Sequence, residues 1–200
     1  KLGYECILIG HQNHPEVEGT MGQFDDSFGG SIHLVESVED VSELEIANPM
    51  NLAYVTQTTL SIDDTQAIMD SLKTRFPEIH GPKTNDICYA TQNRQDAVKQ
   101  LALEAEYIVV IGSRNSSNSN RLKELAEKCG TPSILIDDYS ELNFADLSGY
   151  KKIGVTAGAS APESLVQGVV TALCQSLNGE PLELGENKED IFFRLPPELR

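Results

Sequence analysis

A run of serine and asparagine residues offers the clearest chemistry in this sequence. Residues 113–121 read SRNSSNSNR and lie between the apolar stretch 107–112 and the helical pattern 122–128. The first turn of a helix presents unpaired N–H groups, and short hydroxyl and amide side chains beside them add donors for an anion. Helix capping and loop filling are the alternative, but one cap requires only one such residue. The run therefore predicts an anion site.

Three further segments follow predicted strands. Residues 11–20, HQNHPEVEGT, carry two histidines and two carboxylates suited to proton transfer and phosphate contact, or they form a solvated acidic loop. Residues 56–61, TQTTLS, are rich in hydroxyls, or they cap the next helix at Ser61. Residues 156–162, TAGASAP, are small enough for the backbone to approach a ligand, or for tight packing of strand against helix.

Apolar runs and helical periodicity predict the elements that position these segments. The predicted strands cover residues 5–9, 32–35, 52–56, 107–111, 133–136 and 152–156. The predicted helices cover residues 63–76, 94–104, 119–128 and 162–177. Because the strands are largely apolar and alternate with helices, the fold class is α/β, with parallel sheets covered on both faces. The polar segments then lie at the carboxyl ends of strands, where α/β proteins bind ligands.

This pattern occurs twice, about 100 residues apart. The segment LIGH at 8–11 aligns with VIGS at 110–113, and the pair VT recurs at 55–56 and 155–156. The sequence therefore predicts two similar parallel-sheet modules, residues 1–82 and 83–178, joined near Pro82 and followed by a tail at 179–200. The general similarity of all βα units is the alternative explanation.

The repeat also predicts a missing element. A helix beginning near Cys88 precedes the strand at 107–111, but no equivalent helix precedes the strand at 5–9. We therefore expect that an N-terminal portion has been removed or belongs to another chain. A cysteine opening that missing helix would lie opposite Cys88 in a pseudo-symmetric arrangement.

Composition narrows the choice of partners. The chain has 200 residues, 40% of them hydrophobic, and a net charge of −16 from 31 acidic and 15 basic residues. This charge argues against nucleic acid and anionic membranes, although a small phosphorylated ligand is compatible with it. No apolar run approaches the ~20 residues of a membrane span, so a soluble intracellular protein is expected.

The cysteines predict neither a zinc site nor a disulfide framework, because they are scattered and form no CxxC pair. Most of them are expected to be small buried side chains. The four positions are Cys6, Cys88, Cys129 and Cys174.

Five segments, in order along the chain, resemble those of the 4-hydroxy-3-methylbut-2-enyl diphosphate reductase family, the terminal iron–sulfur enzymes of the methylerythritol phosphate route to isoprenoids. They are HPEVEGTMGQ at 14–23, YVTQTTLSIDDT at 54–65, DICYATQNRQ at 86–95, GSRNSSNSNRL at 112–122 and GVTAGASAPE at 154–163. The likeness continues into the tail near 195–199. It implies three similar α/β modules in a pseudo-threefold arrangement around a central 4Fe–4S cluster, two of which this chain carries.

The resemblance also implies roles for single residues. Cys88 matches the cluster ligand of the third module, and three such ligands leave one iron open to the allylic hydroxyl of the substrate. Glu16 matches the proton donor, and Thr58 matches the hydroxyl that orients Glu16 and the substrate alcohol. The positions that match diphosphate-binding residues are His14, Ser116, Ser117, Asn118 and Ser160.

The implied reaction is reductive dehydroxylation of 4-hydroxy-3-methylbut-2-enyl diphosphate to isopentenyl and dimethylallyl diphosphate. The implied partners are this small allylic diphosphate and an electron-donor protein such as ferredoxin or flavodoxin, in the bacterial cytoplasm or the plastid stroma. The family's first module, two of its cysteines and two of its histidines have no counterpart here. Because one thiolate cannot hold a cluster that needs three, we expect the chain alone to lack a cluster and to be inactive.

A second class of function stays open. Serine-rich loops after a strand also hold phosphosugars, so a phosphosugar-binding domain or a sugar-phosphate isomerase that needs no metal is the alternative. That alternative leaves the helix at Cys88 and the loop at His14 without a role.

Overall fold

Two three-stranded parallel sheets form the framework of the protein. A computed structural model describes residues 2–82, 86–184 and 195–196. The strands are β1 (Glu5–Ile9), β2 (Ile32–Val35), β3 (Leu52–Thr56), β4 (Tyr107–Ile111), β5 (Ser133–Ile136) and β6 (Ile153–Ala157). The helices are α1 (Pro15–Gly22), α2 (Val38–Glu43), α3 (Ile62–Arg75), α4 (Tyr89–Glu104), α5 (Ser117–Lys128), α6 (Phe144–Leu147) and α7 (Glu163–Leu177). The α/β class predicted from the sequence is confirmed.

The two sheets share one topology. β2 and β3 flank β1 in the first sheet, and β5 and β6 flank β4 in the second, with all strands parallel. Ile9 pairs with Thr56 in the first sheet, just as Ile111 pairs with Ala157 in the second. The repeat seen in the sequence is therefore a repeat of strand order, with a shift of one residue in register, because the aligned Thr156 pairs with Val110 rather than with Ile111. The predicted module ranges stay a prediction, and Lys83 in the predicted linker lies outside the described residues.

Apolar side chains cover both faces of the second sheet. Val109 and Ile111 contribute one face to a cluster with α6 and α7. Ile108 and Val110 contribute the other face to a cluster with α4 and α5. All four side chains are fully buried. A central strand that is buried on both faces requires a continuous apolar run, and β4 has one.

The first sheet is well covered on one face and partly covered on the other. Ile7 and Ile9 pack with α2 and α3 in one cluster. On the opposite face Leu8 is buried. The remaining apolar side chains of that face are only half-buried, and they are Cys6, Ile32, Leu34, Ala53 and Val55. The prediction of two fully covered sheets is therefore wrong for the first sheet, because the described residues before β1 include no helix like α4.

The helices differ from the prediction mainly at their ends and in length. α4 begins at Tyr89 rather than at residue 94, and α5 begins at Ser117 rather than at residue 119. Three helices were not predicted, because α1, α2 and α6 span only eight, six and four residues and show little periodicity. Among the described residues, no helix has both the length and the apolar character that crossing a membrane requires.

The cysteines are less buried than the sequence suggested. Cys6 and Cys174 are half-buried, and Cys88 and Cys129 are exposed. Cys6 lies on the partly covered face of the first sheet, and Cys129 lies at the C-terminal end of α5. The prediction of mostly buried thiols is therefore wrong.

Candidate active site

Loops with polar or small residues leave four strands at their carboxyl ends, as expected for parallel sheets. The loop after β1 leads into α1, the loop after β3 into α3, the loop after β4 into α5 and the loop after β6 into α7. A hydrogen bond joins the two sheets here, because Thr59 Oγ1 and Ser117 Oγ lie 2.8 Å apart. The loop after β3 is therefore in direct contact with the start of α5.

Glu16 connects the loop after β1 to the loop after β3. His14 caps α1, and its Nδ1 accepts the N–H of Glu16 at 3.1 Å. Because Nδ1 is an acceptor in this bond, a neutral His14 ring carries its proton on Nε2 and offers that N–H as a donor. Glu16 Oε1 accepts the N–H of Thr58 at 2.9 Å. The half-buried carboxyl group thus lies beside Thr58, where it can exchange a proton with a bound ligand.

Part of the serine–asparagine run builds the start of α5. Ser116 is the N-cap, and its Oγ accepts the N–H of Ser119 at 3.3 Å. Asn120 Nδ2 donates to the carbonyl oxygens of Arg114 and Ser116, at 2.8 and 2.9 Å. Helix capping and loop filling, the alternatives weighed for this run, therefore account for Ser116 and Asn120 respectively.

The rest of the run retains unused polar atoms. Asn118 is 8% exposed, and neither its Oδ1 nor its Nδ2 has a hydrogen-bond partner among the residues that the structure describes. Ser119 is 1% exposed, and its Oγ has no partner in the same part of the chain. A buried polar group left unpaired costs about 1–3 kcal/mol, so a ligand that pairs with it gains that amount. Asn118 and the N–H groups of the first turn of α5 form a set of donors suited to an anion.

Cys88 lies at the start of α4, beside Thr58. It is the N-cap of α4, its side chain is exposed, and its N–H donates to the carbonyl oxygen of Thr58 at 3.1 Å. Asp86 Oδ2 accepts the N–H of Thr56 at 3.0 Å. These two bonds attach the start of α4 to the end of β3. Cys88, whose thiol is exposed, is therefore bonded through its backbone to the same residue that binds Glu16, and the prediction that a helix begins near Cys88 is confirmed.

One thiol does not make a cluster site. In the ranges that the structure describes, no three His, Cys, Asp or Glu side chains lie together in a way that would hold a metal ion. Iron–sulfur clusters are held by several thiolates, and Cys88 supplies one. The described residues therefore do not fit a complete cluster, although Cys88 fits a single ligand position.

Arg121 adds a second contact between α5 and the loop after β1. Its guanidinium contacts Nε2 of His11 and also pairs with Glu124 at 2.5 Å. Burial and the positive charge of Arg121 lower the pKa of His11. The neutral imidazole that results can accept an N–H from the guanidinium. His11 therefore acts as an anchor for this loop.

The loop after β6 shows close packing rather than polar contacts. A Cβ on Gly158 would lie 2.2 Å from Ser119 Oγ, so only glycine fits there. The packing alternative weighed for this segment is therefore correct for Gly158. Ser160 is exposed, and its role in binding stays a prediction.

The structure links some of the predicted site residues and leaves others apart. Hydrogen bonds connect Glu16 and Cys88 to Thr58, and Ser117 to the same loop through Thr59. His14 joins this group through its bond to Glu16, whereas Ser116 and Asn118 lie at the start of α5 and, among the described residues, have no direct bond to it. Sequence reasoning missed the linking residues, although the run TQTT holds two of them. They are Gln57, Thr59, Asp86 and Arg121.

Two parallel-sheet units with polar loops at their strand ends place this chain in the class of α/β proteins, which bind ligands at the carboxyl ends of their strands. The model of the LytB protein family matches residues 1–174, and the chain belongs to this family. The resemblance noted in the sequence is thereby confirmed.

The curated relatives are similar along nearly the whole chain. A 4-hydroxy-3-methylbut-2-enyl diphosphate reductase of Saccharophagus degradans is 59% identical over 198 residues, covering 99% of this chain and 64% of the relative. The reductase of Ectopseudomonas mendocina is 60% identical over 198 residues, covering 99% of this chain and 63% of the relative. The chain thus spans less than two thirds of the length of these relatives.

A solved structure is also similar along nearly the whole chain. The E-1-hydroxy-2-methyl-but-2-enyl-4-diphosphate reductase of Plasmodium falciparum superimposes with a TM-score of 0.86 at 35% identity. The match covers 98% of this chain and 61% of that protein. The two-sheet arrangement described above is therefore shared with a reductase of known structure.

Proposed function

We propose that the full-length protein carrying this sequence reduces 4-hydroxy-3-methylbut-2-enyl diphosphate to isopentenyl and dimethylallyl diphosphate. The names of its relatives support the reaction. The observation that carries the proposal is the grouping of a carboxyl group, a threonine and an exposed thiol, in which Glu16 and Cys88 both bond to Thr58.

We further propose that Cys88 is one thiolate ligand of a 4Fe–4S cluster whose other ligands are not among the described residues. Such a cluster, when bound, supplies electrons and an open iron for the substrate's hydroxyl oxygen. The reaction breaks the allylic C–O bond, the oxygen leaves as water, and an electron pair and a proton enter the allylic skeleton. An electron-donor protein such as ferredoxin or flavodoxin would supply the electrons.

The residues of this chain would then donate the proton, orient the substrate and bind its diphosphate. Glu16 gives a proton to the departing oxygen, because its carboxyl group lies beside Thr58 in the half-buried part of the site. Thr58 orients Glu16 through its backbone N–H and offers its hydroxyl to the substrate alcohol. The diphosphate binds to neutral donors, which are His14, Ser116, Ser117, Asn118 and Ser160.

The test compares two exposed cysteines, Cys88 and Cys129, in the full-length protein. Each variant is reconstituted with iron and sulfide in the absence of oxygen and is then assayed with reduced ferredoxin as the electron donor. We expect the wild type to form both products and to show the visible absorption of a cluster. Cys88→Ser should lose the absorption and the activity. Cys129→Ser, the matched control at the far end of α5, should keep both. A Cys88→Ser variant with full absorption and turnover would contradict the ligand assignment.

The 200-residue chain by itself offers a second comparison. With one cysteine in the site, it should remain colourless, bind no stoichiometric iron and show no turnover. About four irons per chain after reconstitution, the content of a 4Fe–4S cluster, would contradict this expectation. Tight binding of a sugar phosphate by iron-free protein would instead support the phosphosugar alternative.

A further inference from the structure

Gln57 connects three of the four loops of the candidate site, those after β1, β3 and β4. It follows β3 directly, its backbone N–H donates to the carbonyl oxygen of Ile9 at 2.8 Å, and its side chain is 1% exposed. We propose that Gln57 is a positioning residue that fixes the loop after β1 and sets the direction of a hydroxyl relay to Ser117. The proposal rests on the proposed function, in which Ser117 binds the diphosphate.

The acceptor side of the Gln57 amide holds the first loop. Oε1 accepts the N–H of His11 at 3.0 Å, and His11 opens the segment that carries His14 and Glu16. The amide is seated closely, because a Cβ on Gly10 would lie 3.3 Å from Oε1. A shift of this amide would therefore move the backbone at His11.

The donor side of the amide leads to α5. Nε2 donates to Thr59 Oγ1 at 3.0 Å, and Thr59 Oγ1 lies 2.8 Å from Ser117 Oγ. Because Thr59 Oγ1 accepts from Gln57, its own hydrogen is free to point to Ser117 Oγ. Ser117 then keeps its hydrogen for a ligand. Chains of hydrogen bonds that run in one direction strengthen one another, so the amide makes Ser117 a better donor to an anion.

The amide of Gln57 both accepts from the His11 N–H and donates to Thr59 Oγ1. Glutamine offers an acceptor and a donor in one planar group, whereas glutamate has acceptors alone and methionine has neither. A buried glutamate would also carry a charge without a cation beside it, which is costly. The residue type at position 57 is therefore explained by the two bonds that its side chain makes.

The experiment uses the full-length protein and inorganic pyrophosphate as the probe, with a double-mutant cycle between Gln57→Met and Ser117→Ala. Gln57→Met should weaken pyrophosphate binding about 3-fold, because the amide strengthens the bond from Ser117 to the anion by a fraction of that bond's free energy. In Ser117→Ala the same change should cost less, because only the part of the loss that acts through the loop after β1 is left. Hydrogen exchange at the His11 amide should also become faster in Gln57→Met.

Two further variants separate positioning from loss of stability. Thr59→Val cuts the relay but spares the bond to His11, so pyrophosphate binding should weaken while exchange at His11 stays slow. Thr131→Val removes a hydrogen bond from the segment before β5 to Ala102 in α4 and should leave both measurements unchanged.

The outcomes distinguish the inference from the proposed function. Unchanged exchange at His11 in Gln57→Met, or fully additive losses in the cycle, would overturn the role of Gln57. Absence of reductase activity in a protein that still shows the coupling would count against the proposed function alone.

Discussion

The ends of the two central strands have the same backbone frame. β1 and β4 each lead into a glycine, and the third residue of the following helix packs against it. A Cβ on Gly10 would lie 2.5 Å from Val17 Cγ2, and a Cβ on Gly112 would lie 2.2 Å from Ser119 Oγ. Both helices therefore start at the same place relative to their sheet.

The chemistry at the second residue of these helices differs. That position holds Glu16 in α1 and Asn118 in α5. Glu16 is bonded to Thr58, whereas both polar atoms of the Asn118 amide lack a partner among the described residues. The duplicated frame thus fixes where a side chain lies, and under the proposed function the residue type decides between proton transfer and anion binding.

Glu16→Gln in the full-length protein tests whether the residue at this position in α1 acts as the acid. We expect kcat to fall about 10²- to 10⁴-fold, the usual contribution of general acid catalysis, with a small change in KM. The exposed Glu18 of the same helix provides the control, and Glu18→Gln should retain turnover. The assignment of different roles fails if Asn118→Ala lowers kcat as strongly as Glu16→Gln does.

Gly112→Ala and Gly10→Ala should show that the shared frame has no spare room. Each added methyl group meets the helix that follows, and overpacking of this kind costs about 1–3 kcal/mol in the free energy of unfolding, measured in urea. Gly22→Ala is the control, because nothing lies within 4 Å of its Cβ. Val17→Ala should recover part of the loss in Gly10→Ala, and a lack of recovery would show that the clash is not with Val17.

Local patterns were sufficient to predict the strands. The apolar runs predicted β1 to β5 with their observed bounds, and β6 is displaced by one residue. The role of Gln57 was not predictable in this way, because its amide bonds to His11, 46 residues away in sequence. The partial cover of Cys6 was missed for a similar reason, since alternation along a strand does not show what packs on each face.

Glu5 makes the first sheet sensitive to acid. Burial raises the pKa of its carboxyl group, but hydrogen bonds from the Asn48 N–H and from His33 outweigh burial and hold the pKa below its usual value of 4.5. A lowered pKa adds stability above pH 4.5 that is lost as the pH falls through the pKa of the folded protein. The corresponding strand of the second sheet, β4, begins with Tyr107 and contains no carboxyl group. This loss of stability in acid therefore arises in the first sheet.

Unfolding measured from pH 7 to pH 3 should test this difference. Glu5→Gln should flatten the decline in stability below pH 4.5, because the variant has no carboxyl group to protonate. The exposed Glu45 is the control, and Glu45→Gln should follow the wild-type curve. Identical curves for Glu5→Gln and the wild type would assign the acid sensitivity to other groups.

Ser119→Ala should have the smallest effect and sharpen the comparison most. Val17 fills the equivalent place with methyl groups, and the Ser119 hydroxyl has no partner, so its removal should leave the free energy of unfolding unchanged or raise it by up to ~1 kcal/mol. Ser116→Ala, which removes the N-cap of the same helix, should instead cost about 1 kcal/mol. Pyrophosphate affinity completes the test. If Ser119→Ala binds the anion as the wild type does, Ser119 is a packing residue like Val17; if it binds more weakly, the anion reaches past Asn118 to the glycine at the end of β4.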